Sequence, residues 1–208
     1  MVEVRYYTEP MVSKKEILRY AGCKGLKTQT TNVQIENLLQ ECLTEVLPKL
    51  SYKLCYRKLP VNIKNDLCDL GSIKVQSKDL AKNLQGCKEV LLFGATIGVE
   101  IDRFITKYSH LSPAKAVMFQ AIGAERIEAV CDAFCKTLEE EYQDSKMRPR
   151  FSPGYGDLAL ETQRTIFDVL NCSKNIGLSL NDSLLMSPSK SVTAFVGIAP
   201  KSKEGNLK

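Results

Sequence analysis

Residues 148–157 concentrate cationic, aromatic and conformationally restricted side chains between two predicted helices, and they read Arg-Pro-Arg-Phe-Ser-Pro-Gly-Tyr-Gly-Asp. The two prolines restrict φ and favour extended backbone before them, whereas the two glycines permit close backbone approaches. Arginine guanidinium groups bind carboxylates through a planar fork, and tyrosine offers a ring face with a polar tip. The segment therefore predicts a rigid loop that binds a zwitterionic or aromatic ligand. A connection between helices with two solvated arginines is the alternative.

The cysteines and the single histidine are the other groups that could do chemistry. The eight cysteines are widely spaced without a Cys-x-x-Cys pair, so their spacing supports neither a disulfide framework nor a metal site. We expect reduced thiols, several of them buried as small apolar groups in helices. Cys131 and Cys135 lie one helical turn apart and could share a ligand, although no nearby motif completes a metal site. His110 ends a predicted helix, where a polar cap is the expected role and a catalytic or metal role is the alternative.

Length and composition limit the class of protein. A chain of 208 residues with 44% apolar residues can bury a sizeable core, so one domain over residues 1–208 is expected. No apolar run approaches the length of a membrane span and the start lacks a signal-peptide core, so we expect a cytoplasmic protein without a membrane partner. The net charge of +5 is modest, with a small lysine cluster only at residues 201–203. Scattered lysines without interleaved aromatic residues argue against nucleic-acid binding.

Apolar residues at three- and four-residue steps predict a series of helices that position these groups. The first begins at a capping box in residues 13–16 and ends at Gly22 or Gly25. Asp157 is expected to cap the last helix. Between them the pattern predicts helices at residues 35–47, 77–84, 99–108 and 112–142, and the last helix contains residues 166–170.

The longest predicted helix begins at Ser112, which precedes a proline suited to the first helical position, and runs to about Tyr142. Its small residues would let a neighbouring element or a ligand approach the backbone, and packing is the commoner reason for such residues. Its apolar seam comprises Val117, Ala121, Ala124, Ile127, Cys131, Phe134 and Leu138.

Four strands and a glycine turn complete the predicted secondary structure. Residues 51–59 alternate apolar and polar side chains, which is typical of a strand with one face covered. The apolar run at residues 90–93 predicts a central strand, followed by a turn at residues 94–98 that could bring backbone amides close to a bound group. Residues 184–186 and 192–198 predict a hairpin with a four-residue connection. Few strands and several helices, not in strict alternation, indicate an α+β fold.

The loop at residues 148–157 resembles the Arg-Pro-Ala-Pro-Gly-Tyr loop in the reactivation domain of cobalamin-dependent methionine synthase. The matching positions are Arg150, Pro153, Gly154 and Tyr155. The similarity continues in the family's order through residues 92–98 and 176–183, and then through Met186, Pro188, Ser191 and Val192. It covers roughly residues 88–198, and it implies a twisted antiparallel sheet with surrounding helices.

In that family the domain binds S-adenosylmethionine and presents its methyl group to a cobalamin that has been oxidised out of the catalytic cycle. The resemblance implies that Arg150 holds the ligand carboxylate and that Tyr155 lies toward the corrinoid. It also implies that the adenosyl pocket is shaped by the backbone around Ser152, Pro153 and Gly154.

The resemblance further places a ligand-contacting acid near Glu125 and Glu128. We assign Glu128 to that role, and a solvated acid is the alternative. Two other ligand contacts of the family have no counterpart, because the Ile-Asp-Trp-Thr-Pro segment and the late tyrosine pair are absent from this sequence. We therefore expect binding to be weak, altered or lost.

The function implied by the resemblance is that of a stand-alone reactivation subunit for a cobalamin-dependent methionine synthase or a related corrinoid methyltransferase. Such a component is not a complete enzyme, and no catalytic or metal-binding residue is expected in it. Cobalamin would be reached only through a corrinoid-binding partner chain, because no Asp-x-His-x-x-Gly motif is present, and a flavodoxin-type electron donor is implied as well. The alternatives are a structural or regulatory partner that has lost the ligand, and an independent enzyme that uses Cys131, Cys135 or His110.

Overall fold

The computed structural model of the protein describes residues 1–23 and 29–201. Two predicted features therefore lie outside the described residues: the helix end at Gly25, and residues 202 and 203 of the lysine cluster. The elements follow in the order β1 (Glu3–Tyr7), α1 (Lys14–Tyr20), α2 (Gln29–Val46), β2 (Tyr52–Pro60), β3 (Asn62–Lys64), β4 (Leu67–Asp69), β5 (Lys74–Gln76), α3 (Lys78–Asn83), β6 (Glu89–Thr96), α4 (Glu100–Leu111), α5 (Pro113–Glu141), β7 (Ser145–Met147), α6 (Thr162–Leu170), α7 (Cys172–Ile176), β8 (Ser179–Leu180), β9 (Met186–Ser187) and β10 (Ser191–Pro200).

The centre of the fold is a five-stranded sheet with the spatial order β1-β2-β6-β10-β7, in which all neighbours are antiparallel. Strands β3, β4 and β5 form a separate small sheet, and β8 pairs with β9. Helices and an antiparallel sheet that are not in strict alternation confirm the α+β prediction. Within the described residues, no helix combines the length and the apolar character needed to cross a bilayer.

Two hydrophobic cores lie on opposite faces of the central sheet. One contains side chains from α1, α2, α4 and α5, and the other contains side chains from α3, α6 and α7. The predicted one-sided burial of β2 is therefore wrong. Leu54 packs in the first core, whereas Cys55, its neighbour in sequence, is fully buried in the second. Adjacent strand residues point to opposite faces, so a sheet between two helical layers buries both.

Helix α5 confirms the longest predicted helix, because it begins after Ser112 with a proline in its first turn and ends before Tyr142. Most of its predicted seam is buried, including Phe134 and Leu138. Val117 is 54% exposed and Ala124 is half-buried. The first turn of α5 extends beyond the core, and Met118 and Phe119 turn inward instead.

The predicted glycine turn at residues 94–98 is wrong over its first half. Gly94 lies inside β6, opposite Cys55 on one side and Thr193 on the other. A Cβ at Gly94 would lie 3.3 Å from Cys172 Sγ, so the missing side chain accommodates α7 and not a ligand. The chain turns only at Gly98, where φ is +86°.

The predicted hairpin between residues 184–186 and 192–198 is also wrong. Strand β9 pairs with β8, whereas β10 pairs with β6 and β7. The register of β10 with β6 runs from the Ser191–Thr96 pair to the Ile198–Glu89 pair. This long-range pairing buries β10 in the middle of the sheet, which a local hairpin would not achieve.

Candidate functional site

The loop at residues 148–157 is anchored to the central sheet. Arg148 N donates to Gly197 O at 2.8 Å, and Phe151 and Phe195 exchange two backbone hydrogen bonds of 3.0 and 2.8 Å. The loop thus follows the short strand β7 and extends its pairing with β10, so the prediction of a connection between two helices is wrong. These backbone bonds support the predicted rigidity of the loop.

The tip of the loop forms a tight turn. Gly154 has φ of +87° and Gly156 has φ of +55°, a region that disfavours residues with a Cβ. Gly154 N donates to Leu158 O at 2.8 Å, and Pro153 is buried. Tyr155 points outward and is 70% exposed, so its ring is available to a ligand or a partner.

Asp157 caps a different helix from the predicted one. Its carboxylate accepts a 2.5 Å hydrogen bond from Ser77 Oγ and a 2.8 Å bond from Lys78 N, at the first turn of α3. The bond from Ser77, followed by those from the backbone amides, holds the pKa of Asp157 below its ordinary range. Helix α6 begins at Thr162, and its N-cap residue Glu161 forms no side-chain capping bond. Asp157 therefore fixes the end of the loop to an element far away in sequence.

A cleft of about 480 Å³ lies beside this loop, between α5, α6 and β10. Its volume falls within the range of roughly 300–1,000 Å³ found for small-molecule sites. The structure brings together all predicted site residues except Gly154, whose backbone shapes the loop without lining the cleft. The lining residues are Glu128, Arg150, Phe151, Ser152, Pro153, Tyr155, Gln163, Met186, Ser191, Val192 and Thr193.

Arg150 is held by two acids of α5. Its Nη2 donates to Glu128 Oε2 at 2.8 Å and to Asp132 Oδ1 at 2.9 Å. Burial acts to lower the pKa of this guanidinium, but nearby groups that include these carboxylates raise it above its ordinary value. Both bonds use Nη2. Within the part of the chain that the structure describes, the other guanidinium donors of Arg150 form no hydrogen bond, so they can bind a ligand.

The two candidate acids, Glu125 and Glu128, have different environments. Glu128 lines the cleft, whereas Glu125 is only 4% exposed and binds Arg126 through bonds of 2.6 and 2.7 Å. Arg126 also donates to the carbonyls of Pro10 and Met11, at 2.6 and 2.8 Å. Glu125 therefore belongs to a buried structural network, and only Glu128 is positioned to meet a ligand in the cleft.

The same network changes the capping box predicted at residues 13–16. Ser13 Oγ accepts from Glu16 N at 3.4 Å, as expected for an N-cap of α1. The reciprocal bond of a capping box is missing, because Ser13 N donates to Glu125 Oε1 at 2.9 Å. The buried acid of α5 thus replaces Glu16, whose side chain bonds Arg19.

Two polar residues of the cleft were not predicted from the sequence. Gln163 is 6% exposed and Thr193 is 1% exposed. Gln163 Oε1 and Thr193 Oγ1 have no hydrogen-bond partner within the described residues. Nothing in the local sequence distinguishes a glutamine of an amphipathic helix or a threonine of a central strand as a ligand contact.

The cysteines lie outside this cleft and no disulfide joins any of them. Burial raises the pKa of the Cys131 and Cys135 thiols, which favours the protonated form. In residues 1–23 and 29–201, no group of three or more histidine, cysteine or acidic side chains is arranged to hold a metal ion. His110 lies in the last turn of α4. No hydrogen bond joins His110 to Cys131 or Cys135 within the described residues.

Among solved structures, one that matches this chain is the crystal structure of the MetH reactivation domain bound to AdoHcy, with a TM-score of 0.69 and 17% sequence identity. The match covers 99% of this chain and 80% of that chain. At this identity the likeness shows the fold alone, and it confirms the predicted fold. No match is found among curated proteins.

Residues 75–207 match the family described as "Vitamin B12 dependent methionine synthase, activation domain". This span exceeds half of the chain, and it includes the loop at residues 148–157 together with α5, α6 and β10, which line the cleft. The resemblance seen in the loop sequence is thereby confirmed. The chain belongs to the activation-domain family of vitamin B12 dependent methionine synthases.

Proposed function

We propose that this chain binds S-adenosylmethionine in the cleft beside residues 148–157 and presents its methyl group to a corrinoid held by a partner chain. The single observation that carries the proposal is the cleft itself, in which Arg150 and an exposed Tyr155 lie on one rigid loop of an activation-domain fold. Cobalamin chemistry would be supplied by the partner, and this chain would contribute binding and orientation.

The residues present fit the ligand chemically. Arg150 retains donors for a carboxylate, and Glu128 offers a carboxylate to an ammonium group. The charged groups of the lining therefore match the amino-acid end of the ligand.

In this proposal the chain promotes methyl transfer by positioning the ligand relative to the corrinoid. The loop backbone is held by β10 before any ligand binds, so little conformational entropy is lost on binding. Tyr155 stands at the mouth with its ring exposed, where we propose that it contacts the corrinoid of the partner. We propose a stand-alone reactivation subunit of a methionine synthase or a related corrinoid methyltransferase, located in the cytoplasm and reduced by a flavodoxin-type donor.

One observation favours a second function. Arg150 already pairs with Glu128 and Asp132 in the ligand-free chain, so its charge is compensated without a ligand. A regulatory or structural partner that keeps the fold but no longer binds S-adenosylmethionine would show this arrangement.

Calorimetric titration of the purified protein with S-adenosylmethionine separates the two functions. Saturable heat and an increased thermal midpoint support the proposed reactivation role, because a ligand that binds only the native state stabilises it. No heat and no thermal shift at millimolar ligand would leave the regulatory role as the better account.

A further inference from the structure

The unpartnered atoms of Gln163 and Thr193 are the feature of the cleft that the proposed function leaves unexplained. Both side chains are more than nine-tenths buried, and both line the same cleft. Native structures rarely leave buried polar atoms without hydrogen bonds, so each exception requires a cause. A ligand that completes both bonds would give these two exceptions a common cause.

The backbone of Thr193 also offers hydrogen-bonding groups on the open edge of β10. Phe195 exchanges two hydrogen bonds with Phe151 on the outer side of β10. Bonds on one side of an antiparallel strand recur at every second residue, so the N–H and C=O of Thr193 face the same side. Strand β7 pairs only with the far end of β10. Within the described residues, this edge of β10 is therefore open where the cleft lies.

The chemistry of these groups limits the ligand that fits. The amide oxygen of Gln163 accepts a hydrogen bond, and the hydroxyl of Thr193 can donate one. The adjoining walls are apolar and include Phe151, Pro153 and Val192. A flat ring that carries an amino group beside an acceptor nitrogen matches this combination, and the six-membered edge of adenine has that pattern.

We propose that Gln163 and Thr193 select the adenine base of the adenosyl ligand. Gln163 Oε1 accepts from the 6-amino group, and Thr193 Oγ1 donates to the adjacent ring nitrogen. This inference rests on the proposed function, and it adds a specificity site to the carboxylate site at Arg150.

The test is calorimetric titration of the full chain with S-adenosylhomocysteine and with S-inosylhomocysteine. Inosine carries an acceptor oxygen in place of the amino group, so it cannot donate to Gln163 Oε1, and it carries a donor N–H in place of the acceptor nitrogen, which removes the proposed bond donated by Thr193. We expect the wild type to prefer the adenosyl ligand by about a hundredfold, because a site that leaves buried polar groups unpaired rejects the analogue strongly.

The variants Thr193→Val and Gln163→Leu each remove one proposed bond. Each should weaken binding of S-adenosylhomocysteine by about tenfold and narrow the preference over the inosyl ligand. Because neither atom has a partner among the residues that the structure describes, the midpoint of chemical denaturation should stay or rise. A purely structural role would lower it instead.

Two further variants serve as controls. Ser191 lines the same cleft, but its Oγ already donates to Pro188 O at 2.8 Å, so Ser191→Ala should keep the ligand preference. Thr193→Ser retains the hydroxyl and should also keep it, even if Thr193→Val fails to fold.

The outcomes separate this inference from the function on which it rests. Equal binding of both ligands by the wild type, or an unchanged preference in Thr193→Val and Gln163→Leu, would overturn the adenine site and leave ligand binding intact. Failure of the wild type to bind S-adenosylhomocysteine at all would overturn the proposed function, and the adenine site with it.

Discussion

Arg150 shows how one residue can serve both the ligand-free and the ligand-bound state. Its contacts with Glu128 and Asp132 keep the guanidinium in place at the edge of the cleft, and we propose that the donors not used by these acids bind the ligand carboxylate. A charge-assisted bond in a half-buried setting is stronger than one on the surface.

We expect Arg150→Ala to weaken binding of S-adenosylmethionine by about 2–3 kcal/mol, because the ligand carboxylate loses both a charge and a fork of donors. Calorimetric titration measures the change. Arg148→Ala is the matched control, since Arg148 lies in the same loop but bonds Gln85 O and does not line the cleft. Equal losses in both variants would contradict a specific role for Arg150.

Tyr155→Ala should leave the free energy of unfolding within about 0.5 kcal/mol of the wild type, because an exposed ring contributes little to packing. It should instead slow methyl transfer to the reduced corrinoid of a cognate partner. Chemical denaturation and single-turnover transfer test the two halves. For comparison, Tyr56→Ala removes a buried ring that packs on Phe134, and we expect it to cost roughly 3–5 kcal/mol. A similarly large loss in Tyr155→Ala would show that its ring is a structural anchor.

Individual site residues could be predicted where several distinctive residue types lie close together in the sequence. The loop residues Arg150 and Tyr155 could be proposed because two prolines and two glycines surround them. Gln163 and Thr193 could not be identified from the sequence. Whether their side chains find hydrogen-bond partners depends on how α6 packs against β10, and no local sequence pattern encodes that packing.

Among the elements, α3 and the loop are joined by Asp157, whose folded-state pKa is lowered by its bonds to Ser77 and the α3 amides. The carboxylate therefore stabilises the fold above its unfolded pKa of about 3.9, and the contribution is lost as pH falls through the lower folded pKa. The free energy of unfolding of the wild type should fall between about pH 6 and pH 3, and we expect that of Asp157→Asn to fall less. Urea denaturation measures both. Asp168→Asn is a control, because its side chain forms no hydrogen bond within the described residues, and an equal reduction there would contradict the assignment.

The segment before α1 is fixed to α5 by the buried pair of Glu125 and Arg126. We expect Arg126→Leu to lower the free energy of unfolding by roughly 3–5 kcal/mol, because it leaves a buried carboxylate without its partner. The double variant Glu125→Leu with Arg126→Leu should lose less, since no isolated charge remains. A double-mutant cycle by urea denaturation measures the coupling, and additive losses would argue against a coupled pair.

Elements with strong local signals were predicted well. Helix α5 has a start signal and a long apolar seam, and it forms where expected. The partners of β10 were not predictable, because Met186 and Ser187 have a strand pattern that fits a hairpin equally well. The cap at Asp157 was assigned to α6 for the same reason: sequence proximity favours the nearby helix, whereas the carboxylate reaches α3 through tertiary structure.

For the whole molecule, the proposed function divides the work between two chains, with the methyl donor on one and the corrinoid on the other. We expect the purified protein to retain no hydroxocobalamin after incubation and desalting, because its sequence lacks the lower-ligand histidine motif. Absorbance of the desalted protein measures retention, with bovine serum albumin as a control for carry-over. Stoichiometric pigment on this chain alone would contradict the subunit role.

The fold class could be predicted from element types, and the family from a few spaced residues. The placement of helices on both faces of the sheet could not, because Cys55 and its neighbours in β2 alternate in a way that suits one covered face or two. Burial of both faces depends on α3, α6 and α7, which come from parts of the chain distant from β2.

The contact between Asp157 and Ser77 has a consequence for the order of folding. These residues are 80 positions apart, so the contact closes a long loop, and we expect it to form later than contacts between neighbouring residues. The turn that carries Tyr155 would then reach its final shape late, after the sheet has selected its strands. A nascent or partly folded chain would not yet have the assembled cleft, so the proposed methyl donor would bind only fully folded molecules.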